Sequence, residues 1–364
     1  MIYKAAKVFT GHEILQYHAV AVSNGVIESV FPANELSEKQ TVTDFGDVII
    51  APAYIDIQLY GAHGRLLAVY PDAATVKAIV NYCTAGGATH CIPTVATNPY
   101  ETIFQCIDAI KSYWAQGGKG VLGLHVEGPW INPEKRGAHR TEWIFSPTIE
   151  QTKQLLDYGK DVIKIITIAP ECCSQEVTNL IHSYNIVVSA GHSNATYNQA
   201  TNFFDKGIHT ATHLYNAMSA LQHRAPGMVG AVFNNEKVRC SIVPDGHHVD
   251  FAAIKIAKKV MGERLFAITD AVTETTKGYY KHTLETDKYT SNGILSGSAL
   301  TMHKCFLNFV QHCDIEVEEA LRMCSLYPAT VMHLQQELGM IKENYKADMV
   351  VINNDLELIK VIVS

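Results

Sequence analysis

Eight short apolar, β-branched runs alternate with longer stretches of helical spacing through the middle of this chain. No other feature constrains its fold as much. The runs are Tyr54–Gln58, Thr89–Thr94, Val121–Glu127, Val162–Ile168, Ile186–Ala190, Thr210–Thr212, Cys240–Val243 and Leu265–Thr269. Between them lie segments such as DAATVKAIVNYCTAGG, whose apolar spacing predicts a helix ended by Gly86-Gly87. Strands that alternate with helices form a parallel sheet, and eight is the number that closes a barrel. An open doubly wound sheet is the rival, but its G-x-G-x-x-G phosphate fingerprint is missing. The expected fold class is therefore α/β, a (β/α)8 barrel of the TIM type.

Both ends of the chain read differently. HAVAVSNGVIESVF places Asn24-Gly25 between two alternating apolar runs, a strong hairpin signal. ADMVVINNDLELIKVIVS is again strand-like, with a turn at Asn353-Asn354-Asp355. We expect the two termini, 1–50 and 336–364, to pair into one small β-domain around a barrel spanning 51–335.

Composition narrows the function. The chain has 364 residues, 47% hydrophobic and 18% charged, values that suit a packed core and exclude a disordered chain. With 29 Lys+Arg against 36 Asp+Glu the net charge is -7, so no basic field points to nucleic acid. No apolar run approaches the roughly 18 residues of a membrane span. The start, MIYKAAKVFTGHEI, is broken by Lys4, Lys7 and His12 and shows no secretory apolar core. The nine cysteines include no C-x-x-C, so a cytoplasmic protein is expected.

The chemistry lies where polar residues interrupt strand ends. The first strand ends in Asp56 and Gln58, and the third in His125 and Glu127. The fifth runs into His192, the sixth into His213, the seventh into Asp245 and the eighth into Asp270. In such a barrel the C-terminal strand ends converge on one active-site face. Glu127, His192 and His213 make a ligand set suited to Zn2+ with a fourth position open. An open position holds water whose pKa falls to about 7, and Asp270 beside it can move its proton. Each residue alone also has a structural reading: a capping histidine, a strand-to-turn glutamate, an N-cap aspartate. Their shared placement at successive strand ends favours the metal site. Three further segments join them. The GAHR loop reads either as placing His139 to polarise a carbonyl or as an ordinary surface loop, and Arg224 offers a fork for phosphate or carboxylate, although composition alone favours a solvated helix-end arginine. The His247-His248 pair fits pocket lining and a helix cap equally.

These segments together resemble the N-acetylglucosamine-6-phosphate deacetylase family of the amidohydrolase superfamily. The resemblance rests on IDIQLYGAHG (55–64), HVEGPWINPEKRGAHR (125–140), SAGHSNAT (189–196) and ATHLYNAMSALQHRAPGMVGA (211–231). It continues through PDGHHV (244–249), ITDA (268–271) and SGSALTM (296–302), in the family's order and over essentially the whole chain. It implies a β-sandwich built from both termini beside the barrel. It also implies metal-dependent hydrolysis of the acetamide of N-acetyl-D-glucosamine 6-phosphate to D-glucosamine 6-phosphate and acetate. By the same resemblance Glu127, His192 and His213 bind the metal, usually zinc, with Fe2+ or another divalent ion as alternatives. Asp270 is the general base and then acid, and His139, beside Ala138, contacts the acetamido carbonyl. Asn216, the Ala217 amide, Arg224 and His248 hold the sugar phosphate, and backbone around Leu295–Gly297 covers the acetyl group. Arg224 reaching a neighbour's site implies a homodimer.

Two departures stand out. Many amidohydrolases place H-x-H at the end of strand one for a second metal; here Gln58-Leu59-Tyr60 stands there, so one ion is expected. Relatives of the one-metal kind usually show Q-x-N, which Tyr60 breaks. Ala53-Tyr54 stands where the family commonly has glycine followed by an aromatic, a departure expected to alter local packing rather than chemistry. The competing readings are a deacetylase of another N-acetylated sugar phosphate, such as N-acetylgalactosamine 6-phosphate, and a non-catalytic amino-sugar-phosphate-binding relative. A cyclic-amide hydrolase fits less well without H-x-H.

Overall fold

Strands covered by helices on one side and by each other across a barrel are buried throughout, which is why they read as continuous apolar runs. The computed structural model describes all 364 residues. It forms eight parallel strands in one ring-like order: Tyr54–Leu59, Ala88–Ala96, Leu124–Glu127, Ile163–Ile168, Val187–Ala190, Thr210–Ala211, Arg239–Ile242 and Leu265–Ala267. The ring closes just past the last strand, where Asp270 N–H donates to the Gln58 carbonyl (2.9 Å) and Tyr60 N–H to the Ala271 carbonyl (2.8 Å). The expected barrel is present, each strand within a few residues of its predicted position.

Local chemistry sets the connecting helices. The predicted helix after the first strand spans Ala73–Ala85; Asp72 caps it by accepting from Thr75 N–H, and it stops at Gly86. No helix is long and apolar enough to cross a membrane.

Both termini build one further sheet of seven strands. From one edge its order is Leu358–Ile362, Met349–Ile352, Ile49–Pro52, Ile2–Phe9, Ile14–Ser23 and Val26–Pro32, with Val42–Asp44 also paired to Ile2–Phe9. It encloses a small core of its own, including Val8, Val20, Ile27, Ile341 and Val351. Asn24 and Gly25, at φ 50° and 76°, make the hairpin turn in which both central residues are left-handed. A Cβ on Gly25 would lie 3.2 Å from Ser364, so the turn also depends on a bare backbone.

Inside the barrel, polar strand residues one layer below the rim are tied to one another. His125 Nδ1 faces the Ile57 carbonyl (3.2 Å) and its Nε2 the Thr167 hydroxyl (2.8 Å). Asp56 accepts from the Thr269 hydroxyl at 2.5 Å. Burial pushes the Asp56 carboxyl up to about 7, against the pull of Thr269. In an unfolded chain it titrates near 3.9. The folded state thus keeps a proton that the unfolded chain has released, so stability falls as pH rises from about 4 to about 7. Asp56→Asn cannot ionise and should remove that fall. We expect its unfolding free energy, relative to the parent, to improve by on the order of 2–4 kcal/mol between about pH 5 and pH 8. Denaturant unfolding at both pH values checks this; a constant difference would mean Asp56 does not titrate there.

Candidate active site

The strand ends deliver their polar residues to one pocket. Glu127 is the last residue of the third strand, while His192 and His213 each stand two residues beyond the fifth and sixth. Asp270 follows the eighth strand by three. His192, His213 and Asp270 all have left-handed backbone, at φ 48°, 41° and 54°. Such conformations cost about 1–3 kcal/mol each in a non-glycine residue and persist only where their surroundings fix them. Here those surroundings are hydrogen bonds: Asn132 N–H to the His192 carbonyl (2.9 Å), Ser298 N–H to the Asp270 carbonyl (3.0 Å), and His213 N–H to the Ser241 hydroxyl (2.8 Å).

Glu127 is the hub, and its two oxygens have different company. Oε1 lies 3.3 Å from His192 Nε2 and 3.2 Å from His213 Nε2, and these two nitrogens are 3.2 Å apart. Oε2 lies 3.2 Å from His139 Nε2 and accepts from the Tyr60 hydroxyl at 2.5 Å. All four of Glu127, His139, His192 and His213 are buried. Burial would raise the Glu127 carboxyl, but His192, His139 and His213 around it hold it well below the usual range.

This donor set fits a divalent cation. His192 Nδ1 faces the Lys135 carbonyl (2.8 Å) and His213 Nδ1 the Asn216 carbonyl (3.1 Å). A carbonyl only accepts, so each Nδ1 carries the proton and each Nε2 presents a lone pair inward. Two lone pairs 3.2 Å apart beside a carboxylate repel unless a cation lies among them. Glu127, His139 and His192 also form a group compact enough to hold a metal. His192 and His213, on the Oε1 side, both have their proton fixed on the far nitrogen by a carbonyl, so their Nε2 atoms and Oε1 could hold the ion as well. His139 has a hydroxyl there instead, Thr97 at 2.7 Å.

Gln58 and Tyr60 occupy the space between Glu127 and Asp270. The Gln58 amide nitrogen, with two N–H groups to donate, lies 2.8 Å from Asp270 Oδ1, 3.0 Å from Glu127 Oε1 and 3.0 Å from the Tyr60 oxygen. The Tyr60 hydroxyl is also 3.3 Å from Asp270 Oδ1. Burial pushes the Asp270 carboxyl up from its ordinary range, against the pull of His248. His248 is fixed through Nδ1 by Asp245 (2.6 Å), and its Nε2 lies 3.8 Å from Asp270 Oδ2.

The pocket wall contains Ala138, His139, Asn216, Ala217, His248, Asp270 and Leu295 as well as the Glu127 cluster. Two residues singled out from the sequence are elsewhere. Gly297 stands behind the wall, so close that a Cβ would lie 2.5 Å from Val272. Arg224 is exposed on a tight turn closed by Gln222 and Ala225, outside the pocket of its own chain. His125, also a strand-end residue, is spent inside the barrel. Tyr280 and His282 line the pocket without having been picked out, and nothing in the sequence marks them, whereas Ser296, also in the wall, lies within the Leu295–Gly297 segment and the SGSALTM motif.

A parallel barrel with a carboxylate and imidazoles gathered at its C-terminal rim defines the class of barrel hydrolases built around a metal. The chain belongs to the amidohydrolase family, which it matches over residues 49–364, while residues 4–46 match the NagA composite domain. It is 32% identical to the N-acetylglucosamine-6-phosphate deacetylase of Haemophilus influenzae, across 98% of this chain and 96% of that one. It is 30% identical to the N-acetylgalactosamine-6-phosphate deacetylase of Escherichia coli O157:H7, with the same coverage of 98% and 96%. The crystal structure of N-acetylglucosamine-6-phosphate deacetylase from Pasteurella multocida superimposes with a TM-score of 0.94 at 32% identity, covering 100% of this chain and 98% of that one.

Proposed function

We propose that this protein is a metal-dependent deacetylase that converts N-acetyl-D-glucosamine 6-phosphate and water to D-glucosamine 6-phosphate and acetate. The observation that carries it is the pair of inward Nε2 lone pairs on Glu127 Oε1, with Asp270 held alongside by Gln58. It occurs in a chain that aligns end to end with deacetylases of this kind. Glu127, His192 and His213 hold one divalent ion, zinc by the chemistry of the set. When bound, the ion polarises a carbonyl and lowers the pKa of water. Asp270 accepts a proton from the attacking water and returns it to the amide nitrogen as the C–N bond breaks. His139, whose ring centroid lies 4.4 Å from that of His192, donates to the acetamide oxygen as negative charge develops there. Leu295, with Ala138, covers the acetyl methyl.

The phosphate sets a further requirement. No Lys or Arg lines the pocket, and a dianion held by Asn216, the Ala217 amide and His248 calls for a cation. Arg224 is exposed and outside its own pocket, which supports a homodimer in which each Arg224 serves the partner's site. All nine cysteines are free thiols, which suits a cytoplasmic enzyme.

The testing experiment is acetate release from N-acetylglucosamine 6-phosphate and from its C4 epimer, N-acetylgalactosamine 6-phosphate. We expect the higher kcat/KM on the first. A preference for the epimer keeps the chemistry and moves the substrate to the second reading, which the 30% identity to that deacetylase supports. Absence of turnover on both, with the metal site filled, would reject the proposal.

A further inference from the structure

Most polar groups of the pocket wall are committed to the metal cluster, to the residues assigned above, or to the protein's own backbone. The Tyr280 hydroxyl donates to the Thr97 carbonyl (2.6 Å) and the Thr94 hydroxyl to the Ile92 carbonyl (3.3 Å). Tyr60 is committed to Glu127. His282 differs. Its side chain is nearly enclosed, the residue being 7% exposed, and its Nδ1 is fixed 2.8 Å from the Ser296 hydroxyl. Its Nε2 makes no hydrogen bond within the chain, and the ring stands between two cavities, the pocket of Glu127 and Asp270, which Ser296 also lines, and a neighbouring one with Tyr70 and Glu274. A buried imidazole with one nitrogen anchored and the other unpaired at the wall of a binding pocket is available to a ligand.

The chemistry of that ligand follows from what surrounds the ring. His248, across the same pocket, has a carboxylate on its Nδ1; His282 has only a hydroxyl. Burial, with no charged neighbour opposing it, pushes the His282 imidazole down to about 4. The ring is therefore neutral near pH 7 and offers one uncharged donor or acceptor. An uncharged single contact suits a hydroxyl, whereas a phosphate dianion calls for a cation. With the acetamide at C2 on the metal cluster and the phosphate on C6, the pyranose has free hydroxyls at C1, C3 and C4.

We propose that His282, oriented by Ser296, is a specificity-determining residue that reads one ring hydroxyl of the amino-sugar phosphate. This rests on the deacetylase reading above and adds a contact to it. Ser296 acts as a positioning residue, fixing the ring so that Nε2 faces the sugar.

The test pairs enzyme variants with substrate analogues. Wild type, His282→Ala, His282→Gln and Ser296→Ala are assayed on N-acetylglucosamine 6-phosphate and on its 1-, 3- and 4-deoxy analogues, with metal content measured for each. On the parent sugar, His282→Ala should lower kcat/KM about tenfold, the weight of one uncharged hydrogen bond. On the one analogue lacking the hydroxyl that is read, the same substitution should cost nothing. His282→Gln, which keeps a polar group in place, should recover part of the loss, and Ser296→Ala should show a smaller loss with the same substrate pattern. Equal losses on all four substrates, or none, would overturn the proposal and leave His282 a packing residue. The deacetylase reading is judged separately, by wild-type turnover of the parent sugar; if that fails, the contact has no substrate and falls with it.

Discussion

Asp270→Asn is expected to lower turnover by about 10²–10⁴-fold, the range for loss of a positioned acid or base, while leaving metal content and substrate affinity near the parent values. The argument is geometric. An amide of the same size keeps an oxygen for the Gln58 amide, now 2.8 Å from Asp270 Oδ1. It also keeps the backbone bonds through which Asp270 joins Gln58 and Ser298 across the closure of the barrel. What it loses is the capacity to take a proton from water and return it to the leaving amine. Acetate-release kinetics, metal analysis and calorimetric binding of the substrate separate these functions. Parent-like turnover would remove Asp270 from the mechanism. Loss of metal together with activity would instead make it a support of the ion.

The barrel was legible because its strands are apolar along their whole length and polar only where they meet the rim. Tyr54–Leu59, Leu124–Glu127 and Leu265–Ala267 all sit where those runs predict. The same rule located Glu127, His192, His213 and Asp270. It also selected His125 and Asp56, since alternation along a strand places i and i+2 on one face without saying which layer is the rim. Both lie a layer deeper, tied to Thr167 and Thr269. Pairings across the ring were not legible. Tyr60 and Glu127 are 67 residues apart, and Gln58 and Asp270 are 212 apart. No local pattern records that an amide and a phenol bridge two carboxylates. His139 standing 3.2 Å from Glu127 is of the same kind. His282 precedes a short three-stranded sheet after the eighth strand, where neither the barrel alternation nor a motif marks it.

Removal of the metal is the other change with a large expected effect. Chelation should abolish acetate release, by at least about a hundredfold, and one equivalent of a divalent ion per chain should restore it. Stoichiometry follows from what faces Glu127 and Asp270. The Gln58 amide and the Tyr60 hydroxyl both donate into the space between these carboxylates, so hydrogens rather than lone pairs meet the carboxylate oxygens there. Two neutral donors thus balance carboxylate charge where a second ion would have to sit. The Tyr60 bond also holds Glu127 Oε2 at 2.5 Å, so that Oε1, which also accepts from Gln58, faces His192 and His213. Tyr60→Phe should therefore weaken metal affinity about tenfold, as loss of a group that orients a ligand does, without unfolding the chain. Metal titration of the chelated protein reads both quantities. Two ions per chain would show that Gln58 and Tyr60 do not exclude the second. An unchanged affinity in Tyr60→Phe would show that Glu127 is held by its histidines alone.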